Sequence, residues 1–89
     1  MARYYLDIHD GEQSVHDDEG SEFDSLDAAV QGAVISAGEI GRSLLAKGDT
    51  SDIVIEVRDE HNQRVFTVTA SMKIERHDPP PQGPHPWSA

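Results

Sequence analysis

Apolar and polar residues alternate along Arg3-Tyr4-Tyr5-Leu6-Asp7-Ile8-His9, setting Tyr4, Leu6 and Ile8 on one side and Arg3, Tyr5, Asp7 and His9 on the other. A period of two predicts a half-buried strand, because successive side chains of an extended backbone point to opposite faces. Asp10-Gly11 marks a turn. With Gly11 and Glu12 at its tip, Ile8 falls opposite Val15 and Asp7 opposite His16, which keeps apolar with apolar and polar with polar. Asp17-Asp18-Glu19-Gly20 ends this hairpin, and Phe23 is expected to return to the core.

The period then lengthens. Leu26, Ala29, Val30, Ala33, Val34, Ala37, Ile40, Gly41, Leu44 and Leu45 recur at steps of three and four, which predicts one amphipathic helix. Asp24 or Ser25 is placed to cap its start, where Asp24 and Asp27 complement the helix dipole. Lys47 and Gly48 close it. Gly41 lies on the apolar stripe and permits close packing, whereas Gly32 and Gly38 are expected to face outward.

Beyond the polar link Asp49-Thr50-Ser51-Asp52, alternation resumes in Ile53, Ile55 and Val57 and returns through Val65 to Ala70. A turn with His61 and Asn62 at its tip sets Val57 against Phe66, Ile55 against Val68, Ile53 against Ala70, and Asp59 across from Arg64. Two hairpins around one helix predict an α+β domain of order ββαββ over residues 1–76, with the helix packed on one face of a single antiparallel sheet. The expected core is Tyr4, Leu6, Ile8, Val15, Phe23, Leu26, Val30, Val34, Ala37, Leu44, Ile53, Ile55, Val57, Phe66 and Val68. Residues 77–89 hold all five prolines and are expected to form a disordered tail, since proline cannot enter a sheet interior. Pro79-Pro80-Pro81 and Trp87 would also suit a polyproline reader, but a disordered end is the simpler expectation.

Charge narrows the partners. Seventeen Asp and Glu against seven Lys and Arg give a net charge of −10, and from Asp7 to Asp27 every Asp, Glu, Lys or Arg is acidic. Such a surface repels phosphate backbones and anionic lipid, so neither nucleic acid nor membrane is an expected partner. The sequence shows no leader pattern and no apolar run long enough to span a bilayer. The absence of cysteine excludes disulfides and thiolate metal sites and fits a reducing cytoplasm.

Several blocks, in order, carry a resemblance: Arg3-Tyr4-Tyr5-Leu6-Asp7-Ile8, Asp17-Asp18-Glu19-Gly20-x-Glu22, Leu26-x-Ala28-Ala29, and Ile55-Glu56-Val57-Arg58-Asp59-Glu60. Together they resemble a domain-of-unknown-function family of short proteins common in rhizobia and other alphaproteobacteria. Its members open with Arg-Tyr-Tyr/Phe-Phe-Asp-Ile; Leu6 departs from that pattern, and the Pro-rich tail lies outside it. The resemblance spans roughly residues 3–70 and implies a bacterial cytosolic protein, with no activity, cofactor or catalytic residue to transfer. A looser analogy of fold links the pattern to HicB-like antitoxin domains, and fold alone does not give function.

The residue types leave three kinds of chemistry to weigh. Asp7, His9 and His16 gather near one another in the predicted hairpin and could ligate a transition metal, although an exposed hairpin lacks the supporting shell such sites need. The acids Asp17, Asp18, Glu19, Glu22 and Asp24 could weakly bind a divalent cation, yet the calcium-loop spacing fails: Leu6 and Ile8 fall where acidic ligands belong. Ser14 faces His9, but no nucleophile elbow or phosphate-cradling loop accompanies them, so an enzyme is not expected and no cofactor is implied. A protein partner or a second copy is the better-motivated expectation. Tyr5, Val54 and Val65 on the uncovered sheet face, with Asp17, Asp18 and Glu19 beside them, are the expected contact residues.

Overall fold

The computed structural model describes residues 1–11 and 13–77. In chain order these form strand β1 (Ala2–Asp10), the short strands β2 (Gln13–Val15) and β3 (Ser21–Phe23), helix α1 (Leu26–Ala46), and strands β4 (Ile53–Arg58) and β5 (Arg64–Ala70). The antiparallel sheet runs β2-β1-β4-β5, and β3 also pairs with β1. The α+β architecture is as the sequence predicts. The addition is β3, which pairs Ala2–Tyr4 with Ser21–Phe23 while β2 pairs Ile8–Asp10 with Val15–Gln13. Long β1 is thus flanked by two three-residue strands and the loop between them.

The predicted registers hold. Ile8 sits opposite Val15, Ile53 opposite Ala70, Ile55 opposite Val68, and Val57 opposite Phe66. The Asp59–Arg64 pairing does not. A register shift after Val57 sets Arg64 opposite Arg58, and Arg64 bonds Glu56 at 2.9 Å instead. Asp59 is occupied by the turn: its Oδ1 accepts the backbone N–H groups of His61 and Gln63, while Asn62 adopts a left-handed φ of 61°.

Ser25 is the N-cap of α1, its Oγ accepting the Ala28 N–H at 3.1 Å. The helix buries Ala29, Ala33, Ala37 and Gly41, a single row at four-residue spacing, against Ile53, Ile55 and Val57 of β4. Tyr4, Leu6, Ile8, Phe23, Leu26, Leu44 and Val68 pack around this centre, as do Ile40, Ala70 and Met72. Small residues bring the helix axis close to the sheet, so the buried stripe is narrower than the sequence pattern suggests. Three expected core residues are therefore solvent-exposed: Val15 at 59%, Val34 at 52% and Phe66 at 47%. Val34 follows Ala33 by 100° of helical rotation and leaves the contact; Val15 and Phe66 lie on flanking strands that one helix does not cover. Val30 is half-buried. Gly32 corrects another expectation. It faces Phe23, whose ring would lie 3.3 Å from an added Cβ, and Gly41 faces the Met72 sulfur in the same way at 3.0 Å.

Residues 78–89, and with them nearly all of the expected tail, lie outside the described residues. No helix among the described residues is long and apolar enough to cross a membrane.

Candidate functional site

The helix-free face of the sheet gathers its charge at one place. Tyr5 pairs with Arg58 across β1 and β4, and Asp7 with Glu56, one step of the same face further along. Arg58 folds back over the sheet: its Nε donates to Asp7 Oδ2 at 2.7 Å and its Nη2 to Asp7 Oδ1 at 3.1 Å, a bidentate pair. The guanidinium also lies 5.0 Å from the centre of the Tyr5 ring, in cation–π range. Nη1 bonds Asn62 Oδ1 at 2.7 Å, tying the β4–β5 turn into the group.

The loop between β2 and β3 closes the cluster. Between the two short strands β1 has no ladder partner on that side, and Asp17 takes over the missing role. Its carboxylate accepts the backbone N–H groups of Leu6, Glu19 and Gly20. Its own N–H donates to Asp7 Oδ1 at 3.0 Å, and its carbonyl accepts from Arg58 Nη2 at 2.9 Å. Gly20 completes the turn with φ +70°, and a Cβ there would lie 2.8 Å from the Tyr5 ring. Side chain and backbone here substitute for a strand.

Asp7 is 7% exposed, the buried charged residue among those described. Burial alone would raise its carboxyl pKa; the Arg58 hydrogen bonds, the Asp17 N–H and the charge of Arg58 outweigh this and hold it below the usual carboxylate range. For Asp17 burial is likewise outweighed, by the N–H groups of Gly20, Leu6 and Glu19. Arg58 is shifted upward, chiefly by its bond to Asp7.

The expected site residues separate. His16 does reach Asp7, with Nδ1 3.3 Å from Oδ1, and its Nε2 lies 3.6 Å from Asp18. His9 turns to Ser14 Oγ at 2.9 Å instead. Among the described residues no three His, Asp or Glu side chains are grouped to hold a metal, and both Asp7 oxygens are already committed to Arg58. Nor do Tyr5, Val54 and Val65 form one strip. Tyr5 stands opposite Arg58, whereas Val54 stands opposite His9 at the far end of the ladder. Asp17 faces inward as described, while Asp18 is 86% exposed at its side chain and Glu19 is exposed as well.

Around this cluster lies an open cleft of about 280 Å³, lined by Tyr5, His16, Asp18, Arg58, Asp59 and Glu60 among others. A larger groove of about 790 Å³ runs between the β1–β2 hairpin and the last turns of α1, bordered by Asp10, Glu39, Ser43, Lys47 and Asp49. Among the described residues the histidine and arginine side chains His16 and Arg58 line the smaller cleft, and the larger groove is lined by carboxylates, a lysine and serines with a few apolar side chains. Arg58 is the residue the sequence reading left without a role. Its alternation with Val57 placed it on the correct face beside Asp7, and opposite charge on one face was the signal available.

Residues 3–71 match the family model described as a domain of unknown function, DUF6894. No curated protein and no solved structure matches the chain.

Proposed function

The chain belongs to the DUF6894 family, and from that footing we propose that it is a non-enzymatic protein-binding module of the bacterial cytoplasm, offering the acid-rimmed face around Tyr5 to a basic protein. One observation carries this reading: the ionic centre of the cleft is closed on itself, while the carboxylates of Asp18, Glu19 and Glu60 on its rim stay exposed to solvent, Glu60 also accepting the Arg3 N–H. Arg58 and Asp7 saturate each other and the backbone of the Asp17 loop. A general acid or base works best at a site from which substrate excludes water, and this cleft is open around a closed ion pair. Asp18, Glu19 and Glu60 remain exposed outside that pair. Carboxylates so placed attract lysine and arginine side chains over a distance that salt shortens, which favours encounter and selects against acidic partners.

The test is capture by the tagged full chain from a lysate of its source organism, at low and at moderate salt. The control bait is Asp18→Lys/Glu19→Lys, which leaves the structural Asp17 in place. A stoichiometric basic partner, weakened by salt and lost from the charge-reversed bait, is the expected result. A partner held equally by both baits, or none from folded wild type, would sink the reading.

A further inference from the structure

The two borders of the sheet are built differently. On one side, β1 is covered by two strands of three residues each and by the Asp17 loop. On the other, β5 runs for seven residues, and among the described residues no strand pairs with its outer edge. A border strand exposes a row of N–H and C=O groups, which proteins commonly shield with lysine, proline, bulges or brevity. β5 reads Arg-Val-Phe-Thr-Val-Thr-Ala, with no lysine and no proline, and its one charge stands at the first position. The irregularity in its pairing lies near the turn, leaving Phe66 to Ala70 in regular register with β4. Val65 and Phe66 are both exposed large apolar side chains.

Charge selects the occupant. The chain carries −10, yet no Asp or Glu occurs between Glu60 and Glu75, the stretch that contains all of β5. For a second copy, acidic over most of its surface, this edge is the approach with least like-charge repulsion. We propose that β5 is a homodimerisation edge, with two copies joined antiparallel, β5 to β5, about a two-fold axis through Thr67.

The register follows from symmetry. Directly opposed residues in a sheet share a face, so a two-fold axis normal to the sheet must pass through a residue opposed to its own copy. Thr67 is the midpoint of Arg64–Ala70, and centring there sets the regularly paired Phe66–Val68 segment at the seam, with the irregular Arg64–Val65 end at its margin. Phe66 then meets the Val68 position of the other copy. Aromatic with β-branched and Thr with Thr are favourable cross-strand pairs, and no like charges are opposed. This surface is separate from the acidic rim and answers salt in the opposite sense. Screening relieves repulsion between two acidic copies, so dimerisation strengthens with salt while capture of a basic partner weakens.

Sedimentation equilibrium of the full chain over a concentration series, at low and high salt, tests the proposal. Wild type should reach twice the 9.8 kDa monomer mass, more readily at high salt. Thr67→Lys and Thr67→Glu should each sediment as folded monomers, because identical charges meet at the axis, and their equal mixture should restore the dimer. Wild type that stays monomeric throughout, or dimers untouched by both substitutions, would overturn it. Amide exchange across Arg64–Ala70 gives an independent reading. It should slow as wild-type concentration rises, and exchange that ignores concentration also counts against the edge.

Discussion

Asp7 occupies a polar position of an alternating strand, yet it is buried, and the reason is Arg58. Its carboxyl titrates lower in the folded chain than in the unfolded one, and Asp17 shifts in the same direction. A lowered folded pKa contributes stability that is fully present above the usual carboxylate range and is lost as pH falls through that range toward the folded value. Asp7→Asn should therefore cost about 3 kcal/mol at neutral pH, because it leaves the Arg58 charge without its partner. It should also flatten the acid side of the stability curve, measured as urea midpoints against pH; an unchanged slope would remove Asp7 from the account. Gly20 supplies a second residue-scale test. Gly20 and Gly48 both have positive φ, at +70° and +82°, but an added Cβ meets the Tyr5 ring only at Gly20 and open space at Gly48. Gly20→Ala should lower the melting temperature clearly more than Gly48→Ala, and equal losses would mean that backbone strain alone operates.

At the scale of elements, the helix sits on the sheet through alanine and glycine, and this sets both its closeness and its narrow footprint. Ala33 is fully buried, while neighbouring Val34 is half in solvent. Ala33→Leu must then push the helix off β4 or strain its rotamers, with a loss of roughly 1–3 kcal/mol. Val34→Ala removes the larger side chain but little buried area, so its loss should be well under that of Ala33→Leu in chemical denaturation. The opposite ranking would restore the broad apolar face suggested by three- and four-residue periodicity. The second structural device at this scale is the Asp17 loop, which lets β2 and β3 follow one another along one side of β1. Hydrogen bonds from Leu6, Glu19 and Gly20 to one carboxylate replace the ladder that a longer strand would have provided.

For the whole molecule, an acidic surface and a border strand free of Asp and Glu predict opposite salt responses for the two proposed contacts, so a single titration with salt separates them. Much of this frame is written locally. Alternation along β1, β4 and β5, the Asp10-Gly11 turn and the helical spacing specify the elements and the registers of both hairpins, because each depends on residues close in the chain. The overall charge is likewise a property of composition. What the tertiary structure alone decides is which polar residues meet. Asp7 and Arg58 are 51 positions apart, and of the predicted His9–His16–Asp7 group His16 reaches Asp7 while His9 turns to Ser14 and Arg58 bonds both Asp7 oxygens. The order β2-β1-β4-β5 brings that arginine across and leaves β5 at the border. Periodicity assigns a side chain to a face, but its neighbours from a distant strand, and the width of face that one helix can cover, follow only from packing.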